Sequence, residues 1–459
     1  MTRAPLRQLV VGLLALPLSL LPFVAYCTLT PEGRLVRDKV VAWVAPPDLP
    51  RLSDAQQRDA AAIVPPYGGR VTALVYHGLG SSSDAEGGYV MTATRFAEHL
   101  AILKAAGMQV VTASDIAWSM ATGTPLPDRA VMISFDDGRT DALLWADPLL
   151  EQAGMKATMF VISETAAKPS LYYAGWDRLR AAARSGRWDI EAHSHGAHRM
   201  QRVESGEELP ALTSLAPGES LGEYQARVHE DLERNSAAIQ AHIGHRPVAF
   251  AYPFGAYGAE RANDPGIQEI LRNEVANRFV IAFHQDGQDT VPLVDPSQSR
   301  ISLRRLSIGN WSGTDLLRRI AKVVADSAPA GPAGSLAESD PVTKSLPPIP
   351  FVPELQKRPA PSSVLGAPGT TSTLEPATTT TVLPPRTMAP PTSGPSTTTA
   401  TSPPTTRTTG PPSTTSTRPP TTTTTTTTRP PTTTTTSPPP PSTTTTTRPC
   451  HDNRDSCKR

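Results

Sequence analysis

Cysteine is nearly absent from this 459-residue chain: it occurs only as Cys27, Cys450 and Cys457, and never between residues 70 and 325. That argues against thiolate metal ligation or a cysteine nucleophile in the central region. An excess of charge of either sign is also missing, with 43 basic against 42 acidic side chains and a formal net charge of +1. The sequence carries no electrostatic footprint for nucleic acid, and no polyanionic partner is implied.

Long hydrophobic runs are scarce as well. The uncharged stretch from Leu9 to Tyr26, behind the basic Arg3 and Arg7, would cover roughly 27 Å as a helix and barely span a bilayer. Pro17 and Pro22 suit a secretory segment as well as a membrane helix, so residues 1–30 read as a signal peptide or an uncleaved anchor. Either way the rest of the chain is expected to be exported, with membrane contact through this segment if it stays. Residues 31–69 read as a juxtamembrane linker.

Apolar surface fails again from about Ala328, where the composition turns to Pro, Ala and Ser and then, after Thr370, to nearly pure Thr and Pro. Such a segment cannot offset its chain entropy, so residues 328–449 are expected to form a disordered stalk. Residues 450–459 form a tail in which Cys450 and Cys457 pair with each other, pair between chains or stay free.

Between these ends, residues 70–327 alternate strand-like and helix-like runs. Val71 to Tyr76, Gln109 to Val111, Ala130 to Phe135, Ala157 to Ile162, Trp188 to Ala192, Val248 to Tyr252 and Phe279 to Phe283 are short apolar runs of the buried-strand type. Thr94 to Ala106, Leu143 to Gln152, Trp176 to Ser185 and Tyr224 to His242 carry helical periodicity. Repeated β-α units predict an α/β fold with a mainly parallel sheet, and seven strands favour a barrel over an open sheet.

Chemistry-bearing residues follow the strands. Asp136 and Asp137 end one run, and Gly138 permits a sharp exit. Alternation of strand side chains predicts that the two carboxylates diverge, one binding a cation while the other handles protons. His193 and His198 flank a glycine-containing loop and can swing toward one point, whereas His195 is expected to point away. Two neutral imidazoles and a carboxylate make an open site for a divalent metal, with zinc the default. The segment from Val248 to Gly258 runs into a Pro/Gly turn that can aim a backbone N–H at a reacting carbonyl, with Tyr252 and Phe254 as aromatic candidates to wall a sugar ring.

In order, Tyr76-His77, Ser134-Phe135-Asp136-Asp137-Gly138, His193-Ser194 with Gly196-Ala197-His198, and Tyr252-Pro253-Phe254-Gly255 resemble the polysaccharide deacetylases of carbohydrate esterase family 4, the nodulation-deacetylase type. The resemblance covers roughly residues 70–325. It leans toward the poly-β-1,6-N-acetylglucosamine deacetylases, which also open on a Tyr-His strand and space their metal histidines five apart. It implies a distorted (β/α) barrel and metal-dependent removal of acetyl groups from a polysaccharide of N-acetylated sugars. Carried over by position, Asp136 would be the general base; Asp137, His193 and His198 the metal ligands; and Phe254 the donor of a backbone N–H to the oxyanion.

Two departures stand out. Ala251 occupies the place where many members carry an arginine that orients the catalytic aspartate, and Arg305, on a late strand from Ile301 to Ile308, is the candidate substitute. Leu303-Arg304-Arg305 lacks the family's terminal histidine, so His77 is the candidate acid. An O-acetyl esterase on a glycan would use the same site, and a non-catalytic glycan-binding wall protein would need none of its chemistry.

Overall fold

Side-chain alternation along the apolar runs decides which residues meet in the middle of the molecule. The computed structural model describes residues 21–81, 89–259, 262–285, 293–294, 298–326 and 346–350. Seven strands matter most: β1 (Val71–Tyr76), β2 (Ala130–Phe135), β3 (Ala157–Val161), β4 (Trp188–Ala192), β5 (Ala249–Ala251), β6 (Ile281–Gln285) and β7 (Leu303–Ser307). All neighbours are parallel, and β1 pairs with β2 along its length and with β7 on its other edge, which closes a barrel.

One face of each strand looks inward. Ala73, Ala130, Met132, Phe160, Ala249, Ala251, Phe283 and Leu303 share one buried cluster inside the barrel. Their chain neighbours Leu74, Val131, Ile133, Met159, Phe250 and Ala282 belong to the second cluster, under the surrounding helices. Each fully buried Leu or Phe of these clusters stabilises the fold by roughly 1.5–3 kcal/mol. The helices are bounded by local signals: Thr92 caps Ala93–Ala105 by accepting from the Arg95 N–H at 3.1 Å, and Ser220 with Glu223 forms a capping box at the start of Leu221–Ile243.

The helix Ala113–Thr122 closes the N-terminal end of the barrel, lending Ala113, Ile116 and Ala117 to the inner cluster. Its Ser114 donates to Asp189 through N–H (3.0 Å) and hydroxyl (2.7 Å), while Glu191 accepts from the Val248 and Ala249 N–H groups at 2.8 Å each. With that end sealed, the C-terminal ends of the strands are left for chemistry.

Three expectations need correction. Gln109–Val111 is a strand, but it flanks the start of β2 outside the barrel, and the seventh staves position belongs to Leu303–Ser307. Residues 31–69 are not a bare linker: helices Pro31–Val44 and Asp54–Ile63 form there, Ala60, Val64 and Tyr67 are buried, and the Tyr67 hydroxyl donates to the Ala130 carbonyl. Beyond residue 327, Leu346 packs against the core and the Pro347 carbonyl accepts from buried Arg300 at 3.0 Å. Cys27 is buried and free. Cys450, Cys457, most of the stalk and the first part of the N-terminal segment lie outside the described residues, as does residue 327 onward to 345.

Candidate active site

Alternation along β2 sends residues 130, 132 and 134 into the barrel, and Asp136, just past its end, follows the same parity. Leu303 and Arg305 of β7 share that inner face. Arg305, fully buried, forks onto Asp136 with Nη1 2.7 Å from Oδ1 and Nη2 2.5 Å from Oδ2. Nη1 also donates to the Ser134 hydroxyl at 3.2 Å, and the guanidinium sits 4.9 Å from the centre of the Phe160 ring. Burial pushes the Asp136 carboxyl up, but the Arg305 guanidinium, followed by His193 and His77, outweighs burial and holds it below the usual carboxylate range. Asp136 is therefore ionised and held in place at neutral pH.

Asp137 departs from simple alternation. Its backbone is left-handed, with φ of 71°, which turns the side chain back toward the barrel mouth. The two carboxylates therefore converge instead of diverging. Asp137 Oδ1 lies 3.5 Å from His193 Nε2 and 3.4 Å from His198 Nε2, and Asp136 Oδ2 lies 3.9 Å from His193 Nε2. Among the described residues the non-glycine positions at positive φ are Arg129, Asp137, Ser194 and Phe254, and three of these four stand at this site. Such backbone costs about 1–3 kcal/mol per residue and persists only where surroundings enforce it.

Asp137, His193 and His198 each present a ligand atom, all within 4.8 Å of one another. The His193 Nδ1–H donates to the Ala251 carbonyl at 2.8 Å, which fixes the tautomer and leaves the Nε2 lone pair facing the cluster. Burial, helped by His193, lowers the His198 pKa to about 4, so its ring is neutral and able to ligate. Burial opposes charge on His193 too, yet Asp136 and Asp137 raise its pKa above the ordinary value. Two carboxylates that draw a proton onto a fully buried imidazole mark a place suited to a cation, and the donor set fits a divalent metal.

The remaining candidates separate. His77 lies at the end of β1, close enough to Asp136 and Asp137 for both to favour its protonated form, although burial dominates and lowers its pKa. Its ring meets Tyr89 at 5.1 Å, and both line a cleft with Met91 and Ile308. Phe254 sits in the turn Pro253–Gly255, 42% exposed, with its ring 4.5 Å from that of His198. Tyr252 does not join them. It shares the outward parity of Phe250, is 2% exposed, and donates its hydroxyl to the Ile301 carbonyl at 3.1 Å. A side chain buried beneath helices cannot wall a sugar ring, so that expectation is corrected. His195 is apart from the cluster, with Nδ1 2.9 Å from the Ser163 hydroxyl.

The sequence alone assigns no separate role to Tyr89 or to the Ser134 hydroxyl. Tyr89 is 59% exposed and carries no motif. For Ser134 the signal was available, since it shares the parity of Asp136.

A comparison with protein families matches residues 123–268 to "Polysaccharide deacetylase". The chain carries a polysaccharide deacetylase domain. The matched span holds Asp136, Asp137, His193, His198 and Phe254, while His77 and Arg305 lie outside it. Among curated relatives of this deacetylase domain is the poly-beta-1,6-N-acetyl-D-glucosamine N-deacetylase of Escherichia coli K12, 25% identical over 195 residues that cover 38% of this chain and 28% of the relative. The enzyme of the same name from Staphylococcus epidermidis is 22% identical over 196 residues, covering 42% of this chain and 62% of the relative. The chain thus spans less than two thirds of either relative's length. A solved structure of a de-N-acetylase from Aggregatibacter actinomycetemcomitans aligns with 54% of this chain and 99% of its own at 22% identity and a TM-score of 0.44.

Proposed function

We propose that the chain is a metal-dependent hydrolase that removes N-acetyl groups from a polysaccharide of N-acetylated amino sugars. The observation that carries this reading is the joining of two units at one barrel mouth: the Arg305–Asp136 fork and the cluster of Asp137, His193 and His198. A divalent cation, with zinc the best match to one carboxylate and two imidazoles, would be held by Asp137, His193 and His198. When bound, it would polarise the acetamide carbonyl and acidify a water.

The chain's own groups do the rest. Asp136, held ionised by Arg305, takes the proton of the attacking water. Fixed by two hydrogen bonds, its carboxylate needs no reorganisation as the proton arrives. Phe254, left-handed in backbone and with its ring against that of His198, offers its N–H to the developing oxyanion. The proton that Asp136 takes up is then returned to the departing amine by way of His77, whose ring is neutral at rest because burial lowers its pKa and so must gain a proton before it can give one. Tyr89 and Phe254 present exposed rings on either side, beside His77 and His198, where a pyranose could stack.

Arg305 also bears on the non-catalytic alternative. Alanine at position 251 does not leave Asp136 unsupported, because Arg305 supplies the guanidinium from another strand. The relatives' names favour an N-acetylglucosamine polymer as substrate. Export to the cell surface completes the reading, supported by the basic, then uncharged N-terminus and the Thr/Pro-rich tail.

Acetate release from an N-acetylglucosamine oligomer tests the proposal. Release that stops with chelator and returns with zinc supports it. Release from O-acetylated xylan alone would make the chain an ester hydrolase, and no release from either substrate would leave glycan binding.

A further inference from the structure

The two histidines of the cluster are joined by the short loop 194–197, and what holds that loop lies on another element. Asp231, midway along the helix Leu221–Ile243, accepts from three consecutive backbone N–H groups. Oδ2 takes His195 N–H at 2.9 Å, and Oδ1 takes Gly196 at 2.7 Å and Ala197 at 2.9 Å. One turn on, the Asn235 amide donates to the Val161 carbonyl at 3.1 Å and to the Ser194 carbonyl. From the opposite side the Ser163 and Glu164 N–H groups donate to the Ser194 and His195 carbonyls at 3.2 and 3.1 Å. A Cβ at Gly196 would stand 2.9 Å from the Glu164 side-chain Oε2 and 4.0 Å from Asp231 Oδ1.

We propose that Asp231 is a positioning residue for the metal site, whose carboxylate clamps the loop backbone and so sets the span between the His193 and His198 imidazoles. The inference rests on the metal-dependent reading above. Three features support it beyond ordinary loop anchoring. The loop needs Ser194 in left-handed backbone, φ 70°, which an unclamped chain would relax. Charge-assisted bonds from a carboxylate to three amides are stronger and more directional than neutral ones. Finally, the bonds fall on the three residues between Ser194 and His198, so a change in the loop's path displaces His198 against a His193 that β4 and the Ala251 carbonyl hold fixed. The bonds of Asp231 go to the loop backbone and to none of the three ligand atoms, so it acts through the loop.

The test uses the full-length chain and zinc alone, with a chromophoric chelator as competitor. Asp231→Ala should weaken zinc binding by about 10- to 100-fold, as loss of an outer partner of a metal ligand does, while the metal-free protein still unfolds cooperatively. Asp231→Asn keeps one acceptor oxygen and should fall between. Turnover of Asp231→Ala should recover at saturating zinc with KM unchanged, a response that general destabilisation would not give. Glu230→Ala, which removes only an exposed pair with Arg234, should leave zinc affinity alone. If Asp231→Ala does not fold, Asp231→Asn carries the comparison, and amide exchange in the wild type offers a further check: the His195, Gly196 and Ala197 N–H groups should be protected without metal. Equal zinc affinity in a folded Asp231→Ala, or free exchange at those amides, overturns the inference while leaving the metal reading intact. A wild-type chain that takes up no zinc overturns both.

Discussion

Arg305 and Asp136, 169 residues apart in the chain, meet as a bidentate pair with both side chains buried, Nη1–Oδ1 at 2.7 Å and Nη2–Oδ2 at 2.5 Å. Taking two such charges out of water costs several kcal/mol per ion, and the pair offsets this only while both partners remain. A buried pair beside a metal-type cluster is better explained by what it does for Asp136 than by what it adds to stability.

Removing Arg305 should therefore be severe. Arg305→Met leaves the Asp136 carboxylate buried without its main counter-charge, at a cost of about 3–5 kcal/mol in unfolding free energy at pH 7. In the wild type the folded pKa of Asp136 is depressed, so its contribution is present above the unfolded carboxylate value and is lost as pH falls through the lower folded one. In Arg305→Met the carboxyl pKa rises, so the variant should lose less stability on acidification while deacetylation collapses. Denaturant melts between pH 3 and pH 7, by order of magnitude the carboxylate range and neutrality, check both signs. A variant as stable and active as the wild type would show that the pair is dispensable.

Metal content separates ligands from bystanders. His193→Ala or His198→Ala should remove most bound zinc, since each takes one of three protein donors. Asp137→Asn should weaken affinity, because a neutral amide replaces an anionic ligand. His195→Ala should leave metal content nearly unchanged, its ring being bonded to Ser163. Metal analysis of the purified variants decides, and the reverse order would remove the assignment.

His77 is tested by leaving-group chemistry. If it protonates the departing amine, His77→Ala should still bind metal yet lose most amide hydrolysis, by roughly a hundredfold or more. Activated aryl acetates, whose leaving groups need no proton, should be much less affected. Equal losses on both substrates, or none, would make His77 structural.

Much of this arrangement was readable from the sequence, and the failures have physical causes. The parity of Ala130, Met132 and Ser134 predicts an inward Asp136, and the same rule places Tyr252 with Phe250 on the helix side, although its Pro/Gly turn alone suggests a place in the site. Alternation does not predict the direction of Asp137, because it ends with the strand and a left-handed residue next to Gly138 leaves no periodic trace. Pattern alone does not separate Gln109–Val111 from the barrel strands, because a short apolar run looks alike whether it closes a sheet or flanks one. The Asp231 clamp lies on a helix read only for its apolar face, and backbone amides as partners leave no side-chain pattern to find.

The tail boundary also shifts. With Leu346 packed on the core and Pro347 bonded to Arg300, a chain ending after Pro350 should melt like the full-length protein. Ending near Ser327 should keep fold and activity but lower stability by about 1–2 kcal/mol, for one part-buried hydrogen bond and one partly buried leucine. Calorimetry of the two truncations checks the difference, and equal melting would show that residues 346–350 add nothing.

His99 provides a pH probe remote from the metal cluster. It is fully buried, its Nε2–H donates to the Trp311 carbonyl at 2.9 Å, and its Nδ1 accepts from the Tyr76 hydroxyl at 3.1 Å. Both bonds suit the neutral ring, and burial lowers its pKa to about 4. The unfolded chain, near 6.5, binds the proton first. Stability should then be complete above pH 6.5, fall as pH drops toward 4, and lose nothing more from this group below that. The loss approaches roughly 3 kcal/mol, from about 1.4 kcal/mol per pKa unit. Substituting His99→Gln, which keeps a donor and an acceptor but cannot titrate, should flatten that part of the curve at some cost in packing. Unfolding free energies of both proteins across this range decide the matter: parallel curves would mean that the acid sensitivity arises elsewhere.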